Sequence, residues 1–187
     1  NQLVTCREYL EFIQEGGYQN PALWLSEGWA WVSREGCLAP AYWLAPHSES
    51  NSTENWMVFG VDGATPMQLD QAVTHLNFFE ADAFAQWRGA RLPTEFEWEL
   101  AFDHQDMQHM LGQAWQWTRS AYEPYPGFMP WDGAIREYNG KFMVGQQVLR
   151  GSSWATPQGH ARKTYRNFFP PAACWQVTGL RLARDSK

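Results

Sequence analysis

The closing part of the chain, residues 147–185, constrains the fold more than any other segment. It begins with an apolar stretch that stops at Gly151, continues through a long aromatic and basic loop, and ends in a second apolar stretch at residues 180–183. This pattern predicts two strands joined by irregular chain. A core built on such a segment has few regular elements, so large flat side chains must fill much of it.

The aromatic content matches that requirement. Aromatic residues make up 16% of the 187 residues, and twelve of them are tryptophan. The length suits one domain with a sizeable core, and the sequence contains no repeat, linker or low-complexity tract. Most of the aromatic side chains are expected to pack in that core, and a few to line a pocket for a small ligand.

Charge and cysteine content exclude several classes of protein. A formal net charge of −6 without a basic stripe argues against a nucleic acid partner. No apolar run of about eighteen residues is present, so no membrane span is expected, and the first residues lack the pattern of a signal peptide. The three cysteines are widely spaced, which favours reduced thiols in the cytoplasm over disulfides.

Capping boxes, in which a Thr and a Glu three residues later cap each other's backbone N–H groups, predict two helix starts. The pairs are Thr5 with Glu8 and Thr94 with Glu97. A third, amphipathic helix is predicted at residues 79–88. Its polar residues, Glu80 among them, are expected mostly on faces other than the apolar one.

Three further stretches complete the predicted organisation. Residues 20–36 are typical of a second helical region, and residues 56–61 of a strand. Residues 112–145 are mostly Gly, Pro and aromatic, which predicts a long irregular region. Such regions are commonly functional in a compact domain.

Four segments have motif character: residues 75–87, Arg-Leu-Pro-Thr-Glu-Phe-Glu-Trp-Glu at 91–99, Gly-Gln-Ala-Trp-Gln-Trp-Thr at 112–118, and the closing segment. In this order they resemble the formylglycine-generating-enzyme-like (sulfatase-modifying factor) superfamily. The resemblance implies a single α+β domain over residues 1–187, with the irregular, C-type-lectin-like fold of that superfamily and little regular secondary structure. It covers roughly the whole chain.

Within the superfamily, residues 122–128, 137–143 and 164–171 resemble the version found in EgtB-type ergothioneine sulfoxide synthases. Those enzymes join a thiol to a histidine-derived betaine on a non-heme iron. The family holds that iron in an N-terminal helical-bundle domain bearing His-x-x-x-His-x-Glu, a spacing that does not occur in this sequence. The resemblance therefore implies an Fe(II) cofactor for a full-length enzyme, bound outside this chain and supplied in cis or in trans.

Other departures from the family pattern bear on chemistry. Alignment on Gly-Ser-Ser-Trp at 151–154 puts Thr156 and Ala161 where formylglycine-generating enzymes have their catalytic cysteines. Neither side chain is a thiolate nucleophile, so formylglycine generation is disfavoured. Gln113 and Gln116 replace an Asn and a Glu near the family's calcium site, which weakens the case for calcium. Cys174 stands where EgtB-like sequences usually have an arginine.

The histidines supply no metal site that the sequence can identify. His104 and His109 are five residues apart, so one helix cannot direct both at one ion. The other three histidines are isolated. We therefore assign no metal ligand and no catalytic residue, and we expect this chain alone to be inactive.

A substrate-binding wall remains, formed by Asn167, Phe168, Phe169 and Tyr138. The amide of Asn167 suits a zwitterionic ligand, and aromatic faces attract a quaternary ammonium group. By resemblance, Asn167 matches the position where the family binds the betaine carboxylate. The alternative is that both phenylalanines pack in the core and Asn167 caps a turn. Arg91 and Glu95 are interpreted as a structural ion pair.

Two functions from different classes follow. The first is the C-terminal, substrate-side domain of a sulfoxide synthase that forms a C–S bond between a thiol and trimethylhistidine, or of a selenoneine- or ovothiol-type relative. The second is a non-catalytic, lectin-like binding module on the same fold, which the substitutions at Gln113, Gln116 and Cys174 favour slightly. The thiol or selenol donor is not fixed by the sequence.

Overall fold

The computed structural model describes residues 1–46, 55–134 and 140–185. It has four α-helices and seven short strands in these ranges. The helices are α1 (Cys6–Gln14), α2 (Ser26–Glu35), α3 (Phe78–Trp87) and α4 (Glu95–Ala101), with 3-10 turns at Gly17–Gln19 and Pro21–Leu23. The strands are β1 (Trp43–Leu44), β2 (Met57–Gly60), β3 (Gly63–Pro66), β4 (Trp115–Ala121), β5 (Gln147–Gly151), β6 (Asn167–Phe169) and β7 (Thr178–Gly179).

The strands form two small sheets. One is an antiparallel meander in the order β1-β2-β3, and the other has the order β6-β5-β4-β7 with only the β4–β7 pair parallel. The mixture of helices and sheets confirms the α+β class. None of the described helices is long and apolar enough to cross a membrane.

Helix starts follow the local signals closely. Both predicted capping boxes, Thr5 with Glu8 and Thr94 with Glu97, are formed. A third capping box, between Asn77 and Glu80, begins α3 and was not predicted. Because a capping box satisfies backbone N–H groups that the helix leaves open, each one fixes where its helix begins.

Three predictions about elements were wrong. Residues 112–145, predicted to be irregular, contain the seven-residue strand β4 (Trp115–Ala121). The last strand lies at β7 (Thr178–Gly179), and Ala183 instead forms an isolated bridge with Arg91. Helix α3 is not amphipathic, because residues on nearly all of its sides are buried, Glu80 among them. Most of the helix surface packs against other parts of the domain, and Gln86 is the exposed residue of α3.

The core is held together by aromatic rings rather than by long elements. Tyr9 of α1 stacks on Phe84 of α3 with ring centroids 5.3 Å apart. The indole N–H of Trp117 donates to the carbonyl of Leu76 at 2.8 Å, and the Thr178 hydroxyl donates to the same oxygen at 2.6 Å. These two bonds fasten β4 and β7 to the segment that leads into α3, so the sheet that carries β6 is rigidly placed.

Candidate functional site

Strand β6 carries three of the predicted site residues at the edge of the four-stranded sheet. It pairs antiparallel with β5, so that Asn167 lies opposite Leu149 and Phe169 opposite Gln147. Successive side chains of a strand point to opposite faces. Asn167 and Phe169 therefore share one face, and Phe168 lies on the other.

A cavity of about 410 Å³ opens on the Asn167 face. Four aromatic side chains line it: Trp115, Tyr165, Phe169 and Trp175. The rings of Trp115 and Tyr165 are 5.6 Å apart, and those of Phe169 and Trp175 meet edge to face at 5.3 Å. The polar lining comes from Ser153, Thr156, His160, Asn167 and Gln176. The volume is in the range of small-molecule sites, and the walls combine aromatic faces with a few polar groups.

The oxygen of the Asn167 amide is hydrogen-bonded to the protein backbone. Its Oδ1 accepts the backbone N–H of Phe168 at 2.9 Å. Within the described residues its Nδ2 makes no hydrogen bond, and the side chain lines the cavity. The group offered to a ligand is thus an N–H donor, which suits a carboxylate.

Phe168 is not among the residues that line this cavity. Phe168 stacks on Tyr122 with centroids 4.1 Å apart and planes within 9°, and its ring lies 6.5 Å from that of Phe142. Tyr138 lies outside the described residues.

A buried charge network adjoins β6, and sequence reasoning missed it. Arg166 contacts Glu95 through Nε at 2.8 Å and through Nη2 at 2.9 Å. Tyr125 donates its hydroxyl to Glu95 at 2.8 Å, and Arg150 lies 3.6 Å from the same carboxylate. Arg150 also pairs with Glu99. The network fixes the residue that immediately precedes Asn167.

The predicted Arg91–Glu95 pair was wrong. Arg91 pairs with Glu97 and Asp185, both at 2.7 Å, on the surface of the domain. Hydrogen bonds from Arg91 and from the Thr94 backbone lower the pKa of Glu97 to about 2. Glu95 lies one residue after the helix cap and turns inward, toward Arg150 and Arg166.

Comparison with known proteins identifies the family. A model of the sulfatase-modifying factor enzyme 1-like domain matches residues 1–104 and 103–186. The chain belongs to this family.

Hercynine oxygenases from Mycolicibacterium smegmatis and Mycobacterium tuberculosis are 32% and 31% identical to the chain, over 97% of its length in both cases. The chain spans about half the length of these relatives, 51% of each. The mouse protein named inactive C-alpha-formylglycine-generating enzyme 2 is 26% identical, over 98% of this chain and 73% of its own length. The resemblance to the formylglycine-generating-enzyme-like domain of EgtB-type enzymes is thereby confirmed.

The positions that depart from the formylglycine-generating pattern have definite structural roles. Thr156 lines the cavity, and its hydroxyl accepts the backbone N–H of Ser153 at 3.1 Å. Gln116 is fully buried, and its Oε1 accepts from the indole of Trp98 at 2.6 Å and from Arg181 at 2.8 Å. Burial lowers the pKa of Arg181 to about 10. Gln116 thus acts as a neutral acceptor for a buried cation and an indole.

The described residues contain neither a cluster of metal ligands nor, at Cys174, an activated thiol. No group of three or more His, Cys, Asp or Glu side chains within residues 1–46, 55–134 and 140–185 is placed to hold a metal ion. Burial first, and then the Glu80 charge, raise the pKa of Cys174 above its ordinary value. A thiol with a raised pKa is a weak nucleophile at neutral pH.

Proposed function

We propose that this chain is the C-terminal, substrate-side domain of a non-heme iron-dependent sulfoxide synthase. The enzyme would form a C–S bond between a thiol and trimethylhistidine, or act as a selenoneine- or ovothiol-type relative. The observation that carries the proposal is the cavity beside β6, in which one amide donor lies among four aromatic rings. The similarity of the chain to two hercynine oxygenases, over nearly the whole length of the chain, supports the same proposal.

The cavity's residues match the two ends of a betaine. A quaternary ammonium group is attracted to aromatic faces, and the rings of Phe169, Trp175 and Trp115 are available for it. The carboxylate would accept a hydrogen bond from Nδ2 of Asn167. Phe168 would contact a ligand only from the opposite face of the sheet. Tyr138 remains in the proposed substrate-binding set on the sequence resemblance alone.

Iron, in this proposal, belongs to a separate N-terminal domain and supplies oxygen activation when bound there. The described residues of this chain do not fit an iron site. Their part is to bind the betaine, orient its imidazole toward the iron domain and exclude water from the aromatic wall. We assign no proton transfer to His160 or Thr156, which also line the cavity.

Asn167→Ala should weaken trimethylhistidine binding by about 1–3 kcal/mol, the usual cost of removing one partner of a hydrogen bond to a charged group. The measurement is calorimetric titration of the reconstituted two-domain protein. Stability should change little, because the residue is only half-buried at the edge of a sheet. Unchanged affinity in the variant would mean that Asn167 does not bind the ligand and would favour the alternative, in which Asn167 caps a turn.

Phe169→Leu and Phe168→Leu form a matched pair for the same titration. Leucine keeps most of the apolar volume and removes the ring face. Loss of affinity in Phe169→Leu with retention in Phe168→Leu would support cation binding inside the cavity, since only Phe169 lines it. Equal loss in both variants would place the ammonium group elsewhere.

The isolated chain is expected to bind ferrous iron no better than a generic acidic protein. The expectation follows from the sequence, which lacks a facial set of His and carboxylate ligands. Anaerobic titration with Fe(II), followed by dialysis and metal analysis, measures it. One tight Fe(II) site per chain would contradict the proposal that iron is bound by a separate N-terminal domain.

A second candidate function is a binding module without catalysis. The mouse relative that shares 26% identity over 98% of this chain is named as an inactive enzyme, which favours this possibility. The two functions are separated by the coding sequence upstream of Asn1. A domain with His-x-x-x-His-x-Glu there supports the synthase, and its absence supports the binding module.

A further inference from the structure

A second cavity, of about 470 Å³, lies apart from the Asn167 site. The N-terminal segment, residues 70–74 and the turn at residues 109–113 form its walls, and Trp154 lies at one side. Trp154 does not line the first cavity, although its neighbours Ser153 and Ala155 do. The proposed betaine site leaves this second cavity without a role.

The lining of the second cavity is polar and nearly neutral. The side chains that can hydrogen-bond are mostly uncharged: Gln2, Gln71, Thr74 and Gln113. Asp70 is the acidic residue of the lining, and Arg7 pairs with it at 2.8 Å. The lining contains neither Lys nor Arg, so an anionic ligand such as a phosphate would find no cation there.

Among these polar groups, Gln113 is held in place by its neighbours. The Nδ1 of His109 lies 2.9 Å from Nε2 of Gln113, which orients that amide. Gln113 forms a parallel bridge with Ser153, and its carbonyl accepts the backbone N–H of Trp154 at 3.3 Å. A glutamine amide both donates and accepts hydrogen bonds, so it can bind a hydroxyl group either as donor or as acceptor.

Trp154 supplies a flat apolar surface beside these amides. It is 65% exposed, although tryptophan is usually buried. The face of an indole carries partial negative charge and attracts the weakly positive C–H groups of a ring-shaped ligand. A saccharide has such C–H faces and is otherwise covered with hydroxyls, so it matches both parts of the cavity.

We propose that this cavity is a binding site for a neutral saccharide, with Trp154 stacked on one face of the sugar ring and the glutamine amides on its hydroxyls. The inference does not depend on the betaine site or on iron. It assigns a ligand class to a surface that the sulfoxide synthase function does not use.

The test titrates the chain with methyl β-glucoside, methyl β-galactoside, methyl α-mannoside and N-acetylglucosamine, each to about 20 mM, where millimolar affinity is measurable. The readout is the indole N–H signal of Trp154 in a two-dimensional NMR spectrum, identified by its loss in Trp154→Phe. We expect at least one sugar to shift this signal to saturation. Both Trp154 variants lack this signal, so their affinities are measured from the backbone N–H signal of Gln113, which lines the same cavity and is also followed in the parent chain. By this measure Trp154→Ala should weaken binding by about tenfold, and Trp154→Phe should retain part of the affinity.

Trp175→Ala is the matched control. Trp175 is 64% exposed and lines only the first cavity, so this variant should bind the sugar within about twofold of the parent chain. Asn167→Ala should also leave sugar binding unchanged, which separates this proposal from the betaine site. The proposal is overturned if no sugar shifts the Trp154 signal, or if Trp175→Ala abolishes binding while Trp154→Ala does not.

Discussion

Replacing Glu95 with alanine is expected to lower the free energy of unfolding by about 3–5 kcal/mol, the usual effect of breaking a buried ion pair from one side. Glu95 is 3% exposed and serves both Arg150 and Arg166. Arg150 is fully buried and would keep its pair with Glu99 and its hydrogen bond to the Lys163 carbonyl, but would lose the second carboxylate. Urea denaturation of the variant and parent chains measures the difference.

Asp70→Ala is a control of the same kind on the surface. Asp70 pairs with Arg7 at 2.8 Å, but its side chain is highly exposed. Pairs in water contribute little, so this variant should lose less than about 1 kcal/mol. If Glu95→Ala were no more destabilising than Asp70→Ala, the charge network beside β6 would contribute no more to the free energy of unfolding than an exposed ion pair does.

The buried carboxyl of Glu80 should make the domain lose stability as the pH rises through the range from about 4.5 to about 7. Burial raises the pKa of Glu80 from 4.5 to about 7, against the smaller opposing effect of hydrogen bonds from Tyr18 and the Asn77 backbone. The folded protein therefore keeps a proton that the unfolded chain releases across this range. The contribution of Glu80 is present below pH 4.5 and declines above it, by about 3 kcal/mol in total.

Glu80→Gln should flatten this part of the stability profile, measured as free energies of unfolding between pH 4 and pH 8. A glutamine can accept from the Asn77 backbone and donate to Tyr18, whose hydroxyl lies 3.3 Å from that of Tyr9. Glu8→Gln changes the corresponding residue of the α1 capping box, which is only partly buried, and should leave the slope in place. An unchanged slope in Glu80→Gln would show that another group titrates.

Local signals predicted the parts of the fold that depend on neighbouring residues. Thr5 with Glu8, Thr94 with Glu97 and the strand at residues 56–61 are short-range patterns, and the structure contains all three. The burial of Glu80 was not predictable in this way. It depends on Tyr18, a residue 62 positions away that donates a hydrogen bond to the carboxylate.

The candidate site shows the same division. The motif around Asn167 identified a polar residue next to aromatic ones, but this stretch was expected to be loop and is instead strand β6. Which face each side chain takes depends on the pairing of β6 with β5, and that pairing separates Phe168 from its two neighbours. Similarly, the partner of Glu95 was misassigned because Arg166 approaches it from a distant part of the chain.

The segment between β5 and β6 has a consequence for how such domains diversify. It supplies Ser153, Thr156, His160 and Tyr165 to one cavity and Trp154 to the other. The sheet and helices beneath are held by other residues, such as Trp117, Leu76 and Thr178. Loops on a rigid scaffold tolerate change better than the scaffold does. Exchange of this one segment between homologous domains would therefore change part of the lining of both cavities at once, while Asn167 and Phe169 on β6 and Gln113 at the other cavity keep their places.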